Sequence, residues 1–302
     1  MVIIVKEAYG AFGSTSYEYA VGRIQATSHT VLTAEQWNRL QDGEEQEALK
    51  LLEEYGYPAA EGRSPQEVIG EELGRVASFV REISPDPAMT DLLFFEEDAL
   101  NLKLYLKARL SGKNPDPLVS SLGSWPPDVM RICVEAEDFS LLGEDIAQDL
   151  QGIFEETDPG RVSCRVDAAL YAHTLREAEK RRCRPLTDWL KRYGEGKNRI
   201  TRARLEGLHR NPQDYPAAFL PLSFPDGADA SASARPEGSL TREELLAQEE
   251  ERLQGAVKEL RYDEGIGVIA VYYLSKKNEA AALRLLFARK KLIKIAYSQG
   301  PF

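Results

Sequence analysis

No stretch of this sequence approaches the ~20 uninterrupted apolar residues that crossing a bilayer requires. The opening run Val2-Ile3-Ile4-Val5 stops at Lys6 and Glu7, too short for the apolar centre of a signal peptide. A cytosolic chain, or one peripheral on the cytoplasmic face of a membrane, is therefore expected. Cysteine and histidine are scarce, three of each in 302 residues (Cys133, Cys164, Cys183; His29, His173, His209), with no C-x-x-C or H-x-x-x-H spacing. That pattern argues against a disulfide framework and a structural zinc site, and suits reduced thiols. Walker, G-x-S-x-G, H-E-x-x-H and EF-hand motifs are missing as well. Gly265-Ile266-Gly267-Val268-Ile269-Ala270 matches G-x-G-x-x-A, but polar residues 259–264 precede it where a dinucleotide site needs a buried strand. It reads as a glycine break between helices. No catalytic residue, cofactor, metal or small-molecule ligand is expected.

What is present suits a folded protein: 43% hydrophobic and 29% charged residues exclude the low-hydropathy, high-charge composition of a disordered chain. Charge is unevenly placed. Residues 1–160 hold 30 acids and 12 bases, while residues 161–302 hold 19 acids and 26 bases. Lys276, Lys277, Arg284, Arg289, Lys290, Lys291 and Lys294 stand near the end against Glu279 alone. Such a chain presents faces of opposite sign, as a part gripped by two partners would. Nucleic acid is not among them, because the net charge of −11 repels phosphate.

The pattern is helical almost throughout. Thr33-Ala34-Glu35-Gln36 is a capping box, and a second helix through Ala48, Leu49, Leu52 and Tyr55 stops at Gly56. A similar start at Thr241 leads into Leu246, Leu253, Val257 and Leu260 on one face. Residues 98–110 alternate as a strand would, at Leu102, Leu104 and Leu106. Yet acids 96–98 precede the segment, Lys107, Arg109 and Lys113 close it, and Gly112 follows. That order complements a helix dipole and has no use in a strand. Residues 2–5 suit one short strand, whereas 268–271 flow into a long helix ending near Lys294.

Pro- and Gly-rich stretches at 111–128 and 211–239 break the chain into three parts. Helical lobes are expected at 1–112, 113–212 and 213–302, the last with an exposed loop over 226–239. Each part carries an acid three residues before an Asn or its substitute, opening a basic helix. The copies are Asp98-x-x-Asn101-Leu102-Lys103, Glu195-x-x-Asn198-Arg199-Ile200 and Glu279-x-x-Ala282-Leu283-Arg284. They read as one lobe used three times.

These motifs resemble a known family. Tyr17-x-Tyr19-Ala20-x-x-Arg23-Ile24, then Leu32-Thr33-x-x-x-Trp37-x-x-Leu40, then Ala48-Leu49-x-Leu51-Leu52-x-x-Tyr55-Gly56-Tyr57 follow in its order. Asp98-x-x-Asn101-Leu102-Lys103 matches its recurring helix, and Gly265-Ile266 through Asn278-Glu279, Leu283-Arg284 and Lys290 its C-terminal copy. The chain is similar to the C-type subunits of the V/A-type rotary ATPases, whose counterpart in the eukaryotic vacuolar enzyme is designated d. It departs in having Ala282 in place of Asn, and in a second copy poor in leucine. The length resembles prokaryotic members. The resemblance implies an all-α body of three lobes with pseudo-threefold symmetry, shaped as a funnel. It implies a non-catalytic rotor part that seats the D and F proteins of the central stalk, rests on the membrane ring of proteolipids, and transmits torque. The three acid-started helices are then expected around the central cavity, with Asp98, Asn101, Lys103, Glu195, Asn198, Glu279 and Arg284 as candidate cavity or interface residues.

Two other readings stand beside this one. A helical-repeat adaptor unrelated to an ATPase explains the triplication and the charge pattern equally well. A helical enzyme using an unrecognised acid cluster would need a deep apolar pocket with convergent polar groups.

Overall fold

The structure is a computed structural model, and it describes residues 16–27, 30–221, 242–260 and 265–298. Among the described residues every regular element is helical. In chain order these are α1 (Tyr17–Ala26), α2 (Ala34–Asp42), α3 (Glu45–Glu54), α4 (Pro65–Ile83), α5 (Pro87–Asp91), α6 (Phe95–Ser111), α7 (Pro127–Ala136), α8 (Glu144–Asp149), α9 (Pro159–Lys180), α10 (Arg184–Gly207), α11 (Arg242–Leu260) and α12 (Gly267–Ser298). The all-α class read from the sequence is correct. The short strand expected at 2–5, the cap at Thr241, the side chain of Leu246 and the loop 226–239 lie outside the described residues.

Local chemistry accounts for the boundaries. Thr33 accepts from the backbone N–H of Gln36, and the Gln36 side chain returns to the Thr33 N–H, so the capping box forms. Ser64 and Glu67 make a second one ahead of α4, with Pro65 in the first turn, where its missing N–H is no loss. Residues 98–110 are helix throughout, with Leu102 and Leu106 buried. Gly112 ends that helix at φ +67°, a left-handed conformation that a side chain would disfavour. The segment 268–271 is helical and belongs to α12, which runs to Ser298 rather than stopping near Lys294. Gly265 and Ile266 form a turn before it, and the nearest described element upstream is the helix α11. Among the described residues the glycine motif therefore follows no strand.

The chain divides into two compact units, one from residues 1–87 with 264–302, the other spanning Ala88–Asp263. In the first, α12 packs along α4 and also meets α1 and α3. The apolar stripe Val68, Ile69, Leu73, Val76, Ala77, Val80 and Ile83 of α4 is buried, as are Ile269, Ala270, Tyr273, Leu283 and Phe287 of α12. In the second unit, α6 lies against α9 and α7, and α10 against α9 and α11. Its core joins Leu102, Leu106, Met130, Cys133, Ile146, Val166 and Leu170. Phe95, Tyr171 and Tyr193 add edge and stacked ring contacts beside it.

Candidate functional site

The repeated acid-x-x-Asn element falls on α6, α10 and α12. On α6, Asp98 and Asn101 lie one turn apart and share a face. Both are buried, and both point at the loop that leads to α7. Asp98 accepts from the Ser124 backbone N–H at 2.8 Å, the Ser124 hydroxyl at 2.6 Å and the Trp125 N–H at 3.3 Å. Asn101 exchanges two bonds with one residue of the same loop. Its Oδ1 accepts from the Ser120 N–H, and its Nδ2 donates to the Ser120 carbonyl, each at 2.8 Å. A side-chain amide thus completes the backbone pairing that a loop lacks.

The loop fits this arrangement closely. A Cβ built on Gly123 would fall well inside van der Waals contact of the Asp98 carboxylate. Asp98 is held by its hydrogen bonds and is poorly placed to yield. Gly123→Ala is therefore expected to lower stability by about 1–3 kcal/mol, the usual range for overpacking. A urea-midpoint comparison checks it.

On α10 the same exchange recurs. Asn198, also fully buried, accepts from the Leu220 N–H at 2.7 Å and donates to the Leu220 carbonyl at 2.8 Å. The acid of this copy behaves differently: Glu195 is exposed and lies 3.8 Å from Arg199 on its own helix.

On α12, where Ala282 replaces the amide, an ion pair carries the equivalent bonds. Glu279 accepts from the Leu32 N–H and from the Tyr57 hydroxyl. Lys276 reaches the Thr30 carbonyl at 3.4 Å. Its ammonium also meets Glu279 at 2.7 Å and Glu72 of α4 at 3.2 Å, and sits 4.6 Å from the centre of the Tyr57 ring. All three charged groups are buried, at 1% exposure for Lys276, 2% for Glu72 and 5% for Glu279. Burial first, then the charge of Glu279 and the bond to it, push the Tyr57 hydroxyl far above the ordinary phenol range, so it stays a donor. The loop held here is residues 30–32, immediately before α2. The third copy takes its loop from the opening of the chain, 247 residues away in sequence.

Of the residues singled out from the sequence, Asp98, Asn101, Asn198 and Glu279 are buried within their own units and bonded to loops. Lys103 is partly exposed and pairs with Asp167 of α9 at 2.5 Å. Glu195 and Arg284 are exposed. The first two copies lie in the second unit and the third in the first unit. Sequence reading missed Lys276, Glu72 and Tyr57; the signal available was Lys276 three residues before Glu279, one helical turn away.

Chemically these groups satisfy one another. Among the described residues, no group of three or more His, Cys, Asp or Glu is arranged to hold a metal ion. None of the described helices is long and apolar enough to cross a membrane. The arrangement fastens helices to loops. A family model described as "ATP synthase (C/AC39) subunit" matches residues 20–225. No curated protein matches the chain.

Proposed function

We propose, from the premise that the chain belongs to the ATP synthase (C/AC39) subunit family, that it is the non-catalytic coupling part of a V/A-type ion-translocating ATPase. In this reading it joins the shaft formed by the D and F proteins to the membrane ring of proteolipids, peripheral on the cytoplasmic face. It passes torque between them.

The observation that carries the reading is the fastening repeated at Asn101 and Asn198 and replaced by Lys276 and Glu279. A part that transmits torque must resist deformation. Bonding α6, α10 and α12 each to a loop elsewhere in its unit removes soft joints without any chemistry. Three lobes around a central cavity, as a funnel, belong to the proposal, as do lobe borders near residues 112 and 212. Within it Asp98, Asn101, Asn198 and Glu279 are framework. Glu195 and Arg284, the exposed members of the repeat, are the ones this reading assigns to partner contact. The acidic and basic halves of the sequence supply the complementarity that fixes orientation between two partners.

The test is purification of the tagged full chain in mild detergent, followed by identification of what accompanies it. The D and F stalk proteins together with a proteolipid ring are expected. A chain eluting as a lone monomer, or with partners unrelated to an ATPase, overturns the reading and favours the helical-repeat adaptor.

A further inference from the structure

Helices α6 and α7 pack together and leave a cleft of about 350 Å³ between them. Each helix presents residues at spacings of three and four, which share one face. Those of α6 are Tyr105, Ala108 and Arg109, and those of α7 are Arg131, Val134 and Glu135. The segment after Gly112 closes a third side with Asn114, Pro115 and Asp116. The volume lies in the range of ligand pockets. No motif announces it, because the lining comes from three separate segments.

Two polar groups of this cleft are left without partners. Tyr105 is 7% exposed, yet among the described residues its hydroxyl makes no hydrogen bond. Such a buried group calls for an explanation. Burial first, then the charges of Asp116 and Asp128, raise this phenol above its ordinary range, so it stays neutral. Neither carboxylate bonds to it, although both act on it. Asp116 is the second group: it is exposed and, among the described residues, has no ion-pair partner. Its position is nonetheless fixed. Pro115 and Pro117 flank it, and its N–H donates to Asn114 Oδ1 at 3.0 Å. The arginines are already neutralised. Arg131 meets Asp128 at 3.0 Å and Glu135 at 3.3 Å, and Arg109 meets Glu137. The uncompensated charge in the cleft is therefore negative, and an anion does not suit it.

We propose that the cleft between α6 and α7 binds an aliphatic primary ammonium. Its methylene stem lies along Ala108, Pro115 and Val134, and its N–H groups donate to the Asp116 carboxylate and the Tyr105 hydroxyl oxygen. A primary ammonium is a compact charge with three rotatable donors, so one group serves both acceptors. A quaternary ammonium would leave Tyr105 unbonded, and an alcohol would leave Asp116 uncompensated. Two sources carry this chemistry, a free diamine and the lysine side chain of another polypeptide. The site does not depend on the reading of the chain as a coupling part, which bears only on which polypeptide would supply a lysine.

The experiment titrates the full chain, followed by calorimetry and by amide NMR spectra. The probes are 1,5-diaminopentane, as the free amine, and lysine blocked at both backbone ends, as the polypeptide side chain. Saturable binding of at least one is expected, with shifts centred on residues 105–116 and 131–135, and the tighter of the two identifies the source. Asp116→Asn is expected to weaken that binding about tenfold or more, and Tyr105→Phe about threefold or more. The phenylalanine keeps the ring in place, and urea midpoints of both variants separate lost binding from lost folding. Hexanoate, with a similar stem and the opposite charge, is expected not to saturate the cleft. Failure of both amines to bind overturns the proposal, as does binding that Asp116→Asn leaves unchanged. Hexanoate binding as tightly as the diamine also overturns it.

Discussion

Lys276→Met is expected to destabilise the unit formed by residues 1–87 and 264–302 by about 3–5 kcal/mol, the penalty typical of breaking a buried ion pair from one side. The ammonium it removes lies between Glu279 at 2.7 Å and Glu72 at 3.2 Å, and all three groups are at most 5% exposed. Methionine fills the volume of the lysine stem, so little of the loss comes from packing. Two carboxylates are then left facing each other out of water. A second comparison isolates the charge. Lys276→Met with Glu279→Gln leaves an amide that still accepts from the Leu32 N–H, and the pair should lose less than the sum of the two single changes. Urea midpoints measure all three. A Lys276→Met protein as stable as the parent would mean that the buried cluster contributes nothing net.

The second large effect belongs to Asp98. Asp98→Ala leaves the Ser124 and Trp125 amides without their acceptor, at a cost of about 3 kcal/mol for buried donors that had bonded a charged group. Asp98→Asn is expected to cost only about 1 kcal/mol. Its Oδ1 still receives both backbone N–H groups, and its Nδ2 can donate to the Ser124 hydroxyl, which simply turns from donor to acceptor. Equal losses in the two variants would show that the negative charge, rather than the bonding pattern, holds the loop.

The helices were legible because their signals are local. The capping box at Thr33 depends on four consecutive residues, and the helix over 98–110 was decided by charge order and Gly112 despite its alternating leucines. Repetition of Asp98-x-x-Asn101 and Glu195-x-x-Asn198 was legible too. Its meaning was not, since the groups these side chains hold lie 19 to 27 residues downstream on segments that carry no motif. Lys276 was the least legible residue. In the sequence it is one of seven cations near the end, all of which read naturally as solvated; its burial follows from α4 and the 30–32 loop closing over it, which no spacing within α12 announces. Ala282 departs from the repeat, and the neighbouring ion pair explains why an amide is not needed there.

Because α12 completes the unit begun by α1 to α4, synthesis of this protein on the ribosome has a built-in order. Residues 88–263 emerge as a full set and are free to fold while translation continues. The apolar stripe of α4, from Val68 to Ile83, has no α12 to lie against until the final helix is made. Nascent chains stalled before residue 267 would carry that stripe uncovered, and these are the species on which chaperones and proteases should act.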